Sequence, residues 1–418
     1  MIAETICVGT EILMGNIVNT NAAKIAENLA MLGITHYYQT VVGDNAERLE
    51  ESIKLALSRS DIVILSGGLG PTEDDLTKEV AAKCMGKELV LDERAWEEIT
   101  SYFLKKGIKI TENNRKQAMV PVGSKVLYNP NGTAPGIIME ENDRIVILLP
   151  GPPMELIPML EDQVAPYLQE KSENHIFTKM VKICGVGEST VESEIQDLIH
   201  SSNPTVATYA KTGEVHVRVT GSAADEKEAK KLVKPVVKEL KARFGANIYS
   251  TDEDMTLEDS VVELLAQNNL TIATAESCTG GLLAGRIINV PGASEIIKEG
   301  IVTYSNKAKR NRLGVKKSTL SKYTAVSEEV AKEMVKGVLG LTKADTALSV
   351  TGYAGPDGGD DKNPVGTVYI GCSVCGRITV KRFQFKGSRQ KIRESATTQA
   401  LTLLRMNILE YVSEKLFS

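Results

Sequence analysis

The sequence of 418 residues has neither a long apolar run nor a strong excess of one charge. No stretch of about 18 apolar residues occurs, which excludes an ordinary transmembrane helix. The first residues, MIAETICVGTEIL, lack the basic and apolar regions of a secretory signal, so we expect a cytoplasmic protein. Lys and Arg total 49 and Asp and Glu total 54, a net charge of −5. This mildly acidic balance argues against direct nucleic-acid binding.

Cysteine and histidine are also scarce. The six cysteines are scattered along the chain, as expected for reduced thiols rather than a disulfide framework. Cys372 and Cys375 form a C-x-x-C in a segment that is typical of a strand, but no second pair follows, so no zinc site is predicted. The last histidine in the chain is His216, which excludes a Ser-His-Asp triad built within the carboxy-terminal third.

What the sequence does contain is a regular alternation of apolar strands and helical segments. In residues 1–170 this rhythm predicts a three-layer α/β/α domain, with a mostly parallel sheet covered by helices on both faces. Residues 171–250 read as a small α+β domain. The polar, acidic stretch 251–259 (TDEDMTLED) is interpreted as a linker, and residues 260–418 as a second α/β domain.

Short motifs in the last domain combine hydroxyl groups, glycines and cations. TAESCTGG (274–281) follows a predicted strand and precedes a helix, a turn whose free N–H groups can bind an anion. VTYSNKAK (302–309) places a tyrosine and a lysine after the next strand, and VTGYAGP (350–356) ends another strand in a Gly-rich turn. FKGSRQKIRESA (385–396) brings two arginines to a helix start, where their planar forks suit a phosphate.

These residues are compatible with a serine nucleophile activated by a lysine. A serine hydroxyl is a poor nucleophile until a base takes its proton. A lysine can act as that base when burial lowers its pKa. The alternative is that the serine and threonine groups only cap a helix and that Lys309 is an ordinary surface lysine.

TAESCTGG, VTYSNKAK, VTGYAGP and PVGTVYIG (364–371) together resemble the carboxy-terminal domain of the CinA (competence/damage-inducible protein A) family, over roughly residues 255–415. That domain is similar to bacterial nicotinamide mononucleotide deamidase. The resemblance implies an amidohydrolase of pyridine nucleotide (NAD) salvage, which releases ammonia from nicotinamide mononucleotide without a cofactor.

By the same resemblance, Ser294 is the nucleophile, Lys309 the base and Tyr304 a proton relay, while Ser277 and nearby N–H groups hold the oxyanion or the phosphate. The reverse assignment of the two serines is left open, as is the choice of arginine for the phosphate. The residues expected to bind substrate are Thr274, Glu276, Thr279, Gly280, Thr351, Gly352, Gly355, Arg389 and Arg393.

A second set of motifs lies in the first domain. In SGGLGPTEDDLT (66–77), Gly67, Gly68 and Gly70 would let the backbone approach a ligand closely. The acidic residues that follow suit Mg²⁺ bridging a diphosphate. They are also compatible with the acidic first turn of a helix.

Together with GTEILMGNIVNTN (9–21), NGTAPG (131–136) and LLPGPPMEL (148–156), this segment resembles the molybdopterin-binding fold at the start of CinA proteins. The resemblance implies an ADP-ribose pyrophosphatase that uses a divalent metal such as Mg²⁺. Its expected metal ligands are Glu11, Asp44 and Asp75, with Gly67, Gly68, Gly70 and Thr72 lining the nucleotide.

Two alternatives stay open: a nucleotide- or pterin-binding regulatory module, and a competence or recombination accessory protein. The family layout also implies a homodimer.

Overall fold

The computed structural model describes residues 1–171 and 175–417, which fold into two compact units. Unit 1 comprises Met1–Phe177 with Ser222–Ala229, and unit 2 comprises Thr178–Gly221 with Lys230–Ser418. Within the described residues, no helix has the length and apolar character needed to cross a membrane.

Unit 1 is built from strands and α-helices. The strands are β1 (Ile2–Val8), β2 (Thr35–Val42), β3 (Ile62–Ser66), β4 (Leu89–Leu91), β5 (Met119–Pro121), β6 (Lys125–Leu127), β7 (Gly136–Glu141) and β8 (Arg144–Leu149). The helices are α1 (Thr10–Leu13), α2 (Thr20–Met31), α3 (Ala46–Arg59), α4 (Thr77–Cys84), α5 (Glu93–Lys105), α6 (Pro153–Met159) and α7 (Ala165–Lys171).

The main sheet of unit 1 has the order β2-β1-β3-β8-β7-β6. Its first four strands run parallel, and β7 and β6 are antiparallel to their neighbours. Successive residues of β3 face opposite sides: Val63 and Leu65 pack toward α3 and α4, whereas Ile62 and Ile64 pack toward α2 and α6. The predicted sheet with helices on both faces is therefore confirmed.

The central segment forms a small α+β region with a four-stranded sheet. Its elements are β9 (His175–Cys184), α8 (Glu188–Glu194), α9 (Gln196–Ile199), β10 (Thr205–Lys211), β11 (Glu214–Ala223), α10 (Glu226–Phe244) and β12 (Ile248–Ser250). The sheet order is β10-β11-β9-β12. Buried and half-buried residues alternate along β11, as expected for a strand with one covered face.

The carboxy-terminal part of unit 2 is a second α/β layer structure. Its strands are β13 (Ile272–Glu276), β14 (Ile297–Val302), β15 (Thr346–Gly352), β16 (Thr367–Val374) and β17 (Arg377–Gln384). Its helices are α11 (Leu257–Gln267), α12 (Leu282–Ile288), α13 (Asn306–Leu313), α14 (Lys317–Tyr323), α15 (Glu328–Thr342) and α16 (Arg389–Phe417).

This sheet has the order β14-β13-β15-β16-β17, with β13, β14 and β15 parallel. Leu348 and Val350 of β15 pack on the side of α11 and α16, and Ala347 packs on the side of α15. The carboxyl ends of the three parallel strands therefore lie together at one edge, where the loops that carry the predicted motifs begin.

The predicted linker 251–259 is too long, because α11 begins at Leu257. Thr256 and Asp259 form a capping box: the Thr256 hydroxyl accepts the Asp259 N–H at 3.2 Å, and the Asp259 carboxylate accepts the Thr256 N–H at 2.8 Å. The acidic residues that suggested a linker thus include the start signal of the helix.

Candidate functional site

The loop after β13 lies between the ends of its two neighbouring strands. The Ser277 N–H donates to the Val350 carbonyl of β15 at 2.9 Å. The Thr303 N–H, just beyond β14, donates to the Glu276 carbonyl at 2.7 Å. These two bonds fix Ser277 at the carboxyl edge of the sheet, the usual position of a site in an α/β fold.

Lys309 is buried against this serine. It lies in α13, and its side chain is 1% exposed. The ammonium Nζ donates to Ser277 Oγ at 2.8 Å and to the Thr303 carbonyl at 2.8 Å. Burial lowers the pKa of Lys309 to about 8. A lysine with this pKa is partly neutral near physiological pH and can therefore accept a proton from the serine that it contacts.

The backbone after Ser277 makes a tight turn, since the Gly280 N–H donates to the Ser277 carbonyl at 3.1 Å. The Thr279 N–H has no acceptor within the described part of the chain, and Thr279 is fully buried. Burial raises the pKa of the adjacent Cys278 thiol to about 12, so this thiol stays protonated at neutral pH.

The structure favours Ser277, not Ser294, as the serine that pairs with Lys309. Ser294 is exposed in a short 3-10 helix, Ala293–Glu295, after the left-handed Gly292. In the described ranges its hydroxyl makes no hydrogen bond, and the Lys309 ammonium is committed to Ser277 and the backbone. A serine without a base is not activated, so the geometry favours the reverse assignment of the two serines, with Ser277 as the nucleophile.

Glu276 holds the loop rather than a substrate. Its side chain is buried, and its carboxylate accepts the N–H groups of Gly281 at 2.9 Å, Leu283 at 3.1 Å and Ala284 at 2.9 Å. These are the free donors at the start of α12, where a negative charge is also favoured by the helix dipole. The geometry therefore favours a structural role for Glu276, and its binding of substrate stays a prediction.

Other residues predicted to bind substrate are enclosed by the protein. Thr274 and Thr279 are fully buried, and the Thr351 hydroxyl donates to the Ala325 carbonyl at 2.8 Å. A Cβ at Gly352 would lie 2.7 Å from the Thr367 carbonyl oxygen, so this glycine permits close packing of β15 on β16. Their roles are to shape the loops, because none of the three threonine side chains reaches the surface.

Tyr304, Gly355 and Arg389 meet at the exposed rim of the site. Arg389 Nη1 donates to the Gly355 carbonyl at 2.5 Å, and Nη2 donates to the Tyr304 hydroxyl at 2.9 Å. Tyr304 is 63% exposed. Its hydroxyl is therefore engaged by Arg389 rather than by the Ser277–Lys309 pair, and the geometry does not support its role as proton relay. The exposed guanidinium is positioned to meet an anionic group of a ligand.

Arg393 is directed into the protein instead. Its Nε donates to the Cys278 carbonyl at 3.0 Å, and its Nη2 donates to the Thr279 carbonyl at 2.8 Å. Gly280 lies against the same group, since a Cβ there would be 3.5 Å from Arg393 Nη2. Of the two arginines, Arg389 is therefore the one open to a phosphate. Thr303, whose carbonyl helps to hold Lys309, was missed because no sequence signal marks a carbonyl acceptor.

Unit 1 contains a separate cavity of about 710 Å³ at the carboxyl ends of β1, β3 and β8. Gly67, Gly68 and Gly70 line it, as predicted. Gly67 has φ 102°, and a Cβ there would lie 2.3 Å from the Val8 carbonyl oxygen. Only glycine allows this left-handed turn and this close approach of two strand ends.

The cavity is also lined by Glu11, Asp44 and Asp75. Two of these carboxylates are already hydrogen-bonded to neighbouring threonines. Asp44 accepts the N–H of Thr10 at 2.9 Å and its hydroxyl at 2.7 Å. Asp75 accepts the N–H of Thr72 at 2.9 Å and its hydroxyl at 2.6 Å. Within the described residues, no three His, Cys, Asp or Glu side chains are grouped so that they could hold a metal ion. The three carboxylates therefore do not fit a metal site built from the protein alone.

Of two residues near the cavity, Asn21 lines it and Thr72, which was predicted to line it, does not. Thr72 is not among the residues that line the cavity, because its hydroxyl is turned to Asp75. Asn21 does line it, and its amide donates to Ser66 Oγ at 2.9 Å and to the Gly151 carbonyl at 2.6 Å. Asn21 belongs to the motif GTEILMGNIVNTN, but the helical pattern around it does not predict its hydrogen bonds to Ser66 and Gly151.

Comparison with known proteins divides the chain into three matched regions. Residues 4–170 match the probable molybdopterin binding domain, residues 178–250 the damage-inducible protein CinA KH domain, and residues 254–408 the CinA C-terminal domain. The first match confirms the predicted molybdopterin-binding-like fold of the amino-terminal region.

Relatives that carry the name competence-damage inducible protein span the whole chain. The one from Clostridium tetani is 53% identical over 98% of this chain and 100% of its own. The one from Clostridium beijerinckii is 51% identical over 98% and 100%, respectively. A crystal structure of a CinA superfamily protein from Klebsiella pneumoniae is 37% identical, covers 37% of this chain and 96% of its own, and has a TM-score of 0.36. From the matches of all three regions and these full-length relatives, the chain belongs to the CinA family of competence/damage-inducible proteins.

Proposed function

We propose that unit 2 hydrolyses the amide of nicotinamide mononucleotide, with Ser277 as nucleophile and Lys309 as base. The observation that carries the proposal is the 2.8 Å hydrogen bond between Lys309 Nζ and Ser277 Oγ. The lysine is fully buried and its pKa is lowered to about 8. Lys78 of unit 1 is also buried and has a pKa lowered to about 8, but it contacts the backbone carbonyls of Lys116 and Gln117, whereas Lys309 contacts a serine hydroxyl.

The chemistry follows from these positions. Ser277 Oγ attacks the amide carbonyl carbon while Lys309 Nζ takes the hydroxyl proton. Lys309 then returns the proton to the amide nitrogen, ammonia leaves, and an ester on Ser277 remains. Water, deprotonated by Lys309, hydrolyses this ester to the carboxylic acid and restores the serine.

The substrate class is supported by the rim of the site and by the resemblance of the motifs. Arg389 stands exposed beside Tyr304 at the first residue of α16. A guanidinium at a helix start is suited to a phosphate monoester. A nucleotide amide would place its phosphate there and its aromatic ring near Tyr304.

The test is ammonia release from nicotinamide mononucleotide by the full chain. Ser277→Ala and Lys309→Met should each abolish it, and Ser294→Ala, which removes an exposed hydroxyl, should retain it. Loss of activity in Ser294→Ala with retention in Ser277→Ala would reverse the serine assignment. No ammonia from folded wild-type protein would refute the proposed reaction.

We also propose that the cavity of unit 1 binds a nucleotide diphosphate such as ADP-ribose. Its support is a volume of about 710 Å³ lined by Gly67, Gly68 and Gly70 at strand ends, where backbone can approach phosphates closely. Cleavage to AMP by the full chain, measured with Mg²⁺ and with a chelator, separates an ADP-ribose pyrophosphatase from a purely binding module. Binding without cleavage would favour the regulatory alternative. A homodimer and a cytoplasmic location stay predictions.

A further inference from the structure

A second cavity lies beside the first one in unit 1. Its volume is about 210 Å³, and it is enclosed by α5 and by the loop 129–135, which joins β6 to β7. This cavity is named the side pocket here. Thr133 lines both the side pocket and the cavity of about 710 Å³ that contains the Gly-rich loop. The two spaces are therefore neighbours, and an extended ligand that passes Thr133 reaches both.

The walls of the side pocket suit a flat aromatic group. Its lining includes two aromatic and four apolar side chains: Tyr102, Tyr128, Ala95, Ile99, Pro130 and Pro135. A sugar or a phosphate gains little from such walls, whereas an aromatic ring gains stacking and apolar contact. The volume is also below the roughly 300 Å³ at which cavities begin to enclose a whole drug-sized ligand. The side pocket therefore fits one ring system of a larger molecule.

Both tyrosine rings are held in place by cations. The Arg94 guanidinium lies 3.7 Å from the centre of the Tyr128 ring, and Lys106 Nζ donates to the Tyr102 hydroxyl at 2.6 Å. Neither Arg94 nor Lys106 lines the side pocket, so the two cations occupy other sides of the rings. Aromatic walls that are already fixed reduce the entropy lost when a ligand ring binds between them.

The polar side chains that α5 contributes to the side pocket lie on one face of that helix. Glu98, Ser101 and Lys105 line the pocket, and their spacing of three and four residues places them on the same side of α5. A carboxylate, a hydroxyl and an ammonium group supply both acceptors and donors. The edge of a purine base carries the matching groups, an amino or carbonyl group and ring nitrogens.

The loop between the two spaces is fixed by its own side chains. It contains most of the motif NGTAPG (131–136). Asn129 Nδ2 donates to the Ala134 carbonyl at 3.0 Å and to Glu155 Oε2 at 2.6 Å. A Cβ at Gly132 would lie 2.1 Å from Glu155 Oε2, so only glycine fits at this position. The side pocket and the cavity are therefore held at a fixed separation.

Thr133 offers a hydroxyl donor between the two spaces. Its Oγ1 accepts Gln117 Nε2 at 3.0 Å, and Gln117 is itself buried. A hydroxyl that accepts one bond can still donate its own proton. In a nucleotide the ribose, whose oxygens accept such bonds, separates the base from the phosphates. The order of aromatic pocket, hydroxyl and Gly-rich loop thus matches the order of base, ribose and phosphate.

We propose that the side pocket is the nucleobase subsite of unit 1, in which Tyr102 and Tyr128 contact a purine ring while the diphosphate lies at the Gly-rich loop. This inference rests on the proposed binding of a nucleotide diphosphate in the cavity. It gives the motif NGTAPG a role, which is to hold the two subsites apart, and it makes the base a determinant of affinity beside the diphosphate.

Calorimetry of the full chain, at one fixed Mg²⁺ concentration, tests the subsite with ligands that have or lack a base. We expect Tyr102→Ala to raise the Kd of ADP-ribose about 10-fold, as for the loss of one aromatic side chain that stacks on a base. The Kd of inorganic pyrophosphate, which has no base, should stay constant. Tyr102→Phe keeps the ring and should bind ADP-ribose like the wild type.

The matched control is Tyr37→Ala, because Tyr37 is exposed on β2 and lines neither space. A thermal melt verifies the fold of each variant. Where Tyr102→Ala does not fold, Ser101→Phe, which fills the pocket from an exposed position of α5, should raise the Kd of ADP-ribose instead. An unchanged Kd of ADP-ribose in Tyr102→Ala would overturn the subsite alone. Equal losses for ADP-ribose and pyrophosphate would also overturn it, because the effect would then not depend on the base.

A second measurement does not need the diphosphate. Trp96 is the single tryptophan of the chain, lies in α5 and packs in the same apolar cluster as Tyr128, so its fluorescence reports on the side pocket. Adenosine should quench this fluorescence, with a Kd that rises about 10-fold in Tyr102→Ala and stays constant in Tyr37→Ala. This result without binding of ADP-ribose to the wild type would refute the proposed nucleotide diphosphate and support the base subsite. Equal binding of adenosine to wild type and Tyr102→Ala, or no quenching at all, would overturn the base subsite.

Discussion

The site of unit 2 and the cavity of unit 1 lie at the same place in similar folds, but they are built differently. In unit 2 the polar groups face one another: Lys309 is fully buried and is bonded to Ser277. In unit 1 the space is large and the carboxylates are turned to their own loops, as the bonds of Asp44 to Thr10 and of Asp75 to Thr72 illustrate.

This difference shows which site is organised for chemistry before a ligand arrives. A buried lysine costs folding free energy, and in unit 2 this lysine contacts a serine, whereas the likewise buried Lys78 of unit 1 contacts the carbonyls of Lys116 and Gln117. The carboxylates of unit 1 instead stabilise their loops, and any role in catalysis would need a ligand that brings its own cation.

The largest effect is expected from Lys309→Met. Removal of the base should lower ammonia release by about 1000-fold or more, as for the loss of one member of a catalytic unit. The same change should not lower stability, because a charged lysine held at a pKa of about 8 instead of 10.5 costs about 3 kcal/mol near neutral pH, which offsets the lost hydrogen bonds. Activity and thermal melts of Lys309→Met and of the exposed neighbour Lys307→Met measure both effects.

The sign of the stability effect depends on pH. The pKa of Lys309 is lower in the folded protein than in the unfolded chain, so between about pH 8 and 10.5 the unfolded chain binds more protons and wild-type stability rises with pH. The advantage of Lys309→Met over the wild type should therefore be full below pH 8 and vanish above about 10.5. A destabilised Lys309→Met at pH 7 would indicate a structural lysine.

The second prediction is a pH profile of kcat/KM for amide hydrolysis. The free base form of Lys309 is required, so the rate should rise about 10-fold per pH unit below pH 7 and level off above about pH 8. Cleavage of ADP-ribose in unit 1 should not follow this curve. A flat profile between pH 6 and 8 would contradict the role of Lys309 as base.

Much of this arrangement could be predicted from the sequence, because strand and turn patterns repeat in both α/β regions. DIVIL and LTIATAES gave β3 and β13, and parallel strands place the following loops at one edge. The resemblance of the motifs to the CinA family put Ser277 and Lys309 in one site. Which serine contacts Lys309 could not be predicted from the sequence. The exposed turn at Gly292 directs Ser294 to solvent, and the spacing of the residues does not reveal this direction.

Three residues that were predicted to bind ligands have partners within the protein. Glu276, Thr72 and Arg393 were assigned to ligands because of their residue type, but each is bonded to the protein: to three N–H groups, to Asp75 and to two carbonyls, respectively. A carboxylate or guanidinium near a loop serves backbone groups as readily as it serves substrates. The sequence shows which charged groups are present, and only the fold shows whether each one binds backbone groups or a substrate.

A smaller effect follows from the helix-capping role of Glu276. Glu276→Gln keeps one acceptor but loses the charge and the second acceptor, and should destabilise the protein by about 1–2 kcal/mol. Ammonia release should fall only at temperatures near the melt, since the residue does not touch the substrate. Chemical denaturation measures the loss, and Glu295→Gln, at an exposed position of the same domain, serves as the control. A loss of kcat in fully folded Glu276→Gln would return Glu276 to the substrate-binding residues.

The smallest effect, and the one that bears most directly on unit 1, is expected from Asp75→Asn. Asparagine can still accept the Thr72 bonds through its oxygen, so the loop should stay in place while one negative charge that lines the cavity is lost. Without divalent cations, ADP-ribose should then bind about 3-fold more tightly, because one repulsive charge pair at partial exposure is worth about 0.5–1 kcal/mol. With Mg²⁺ the gain should disappear, because the cation compensates the same charge. Calorimetry measures the Kd of ADP-ribose with Mg²⁺ and with a chelator. The control is Glu73→Gln, which changes a neighbouring acidic residue that does not line the cavity. Equal gains under both conditions would mean that Asp75 acts only on the phosphates, and weaker binding under both would mean that it is a direct ligand of the nucleotide.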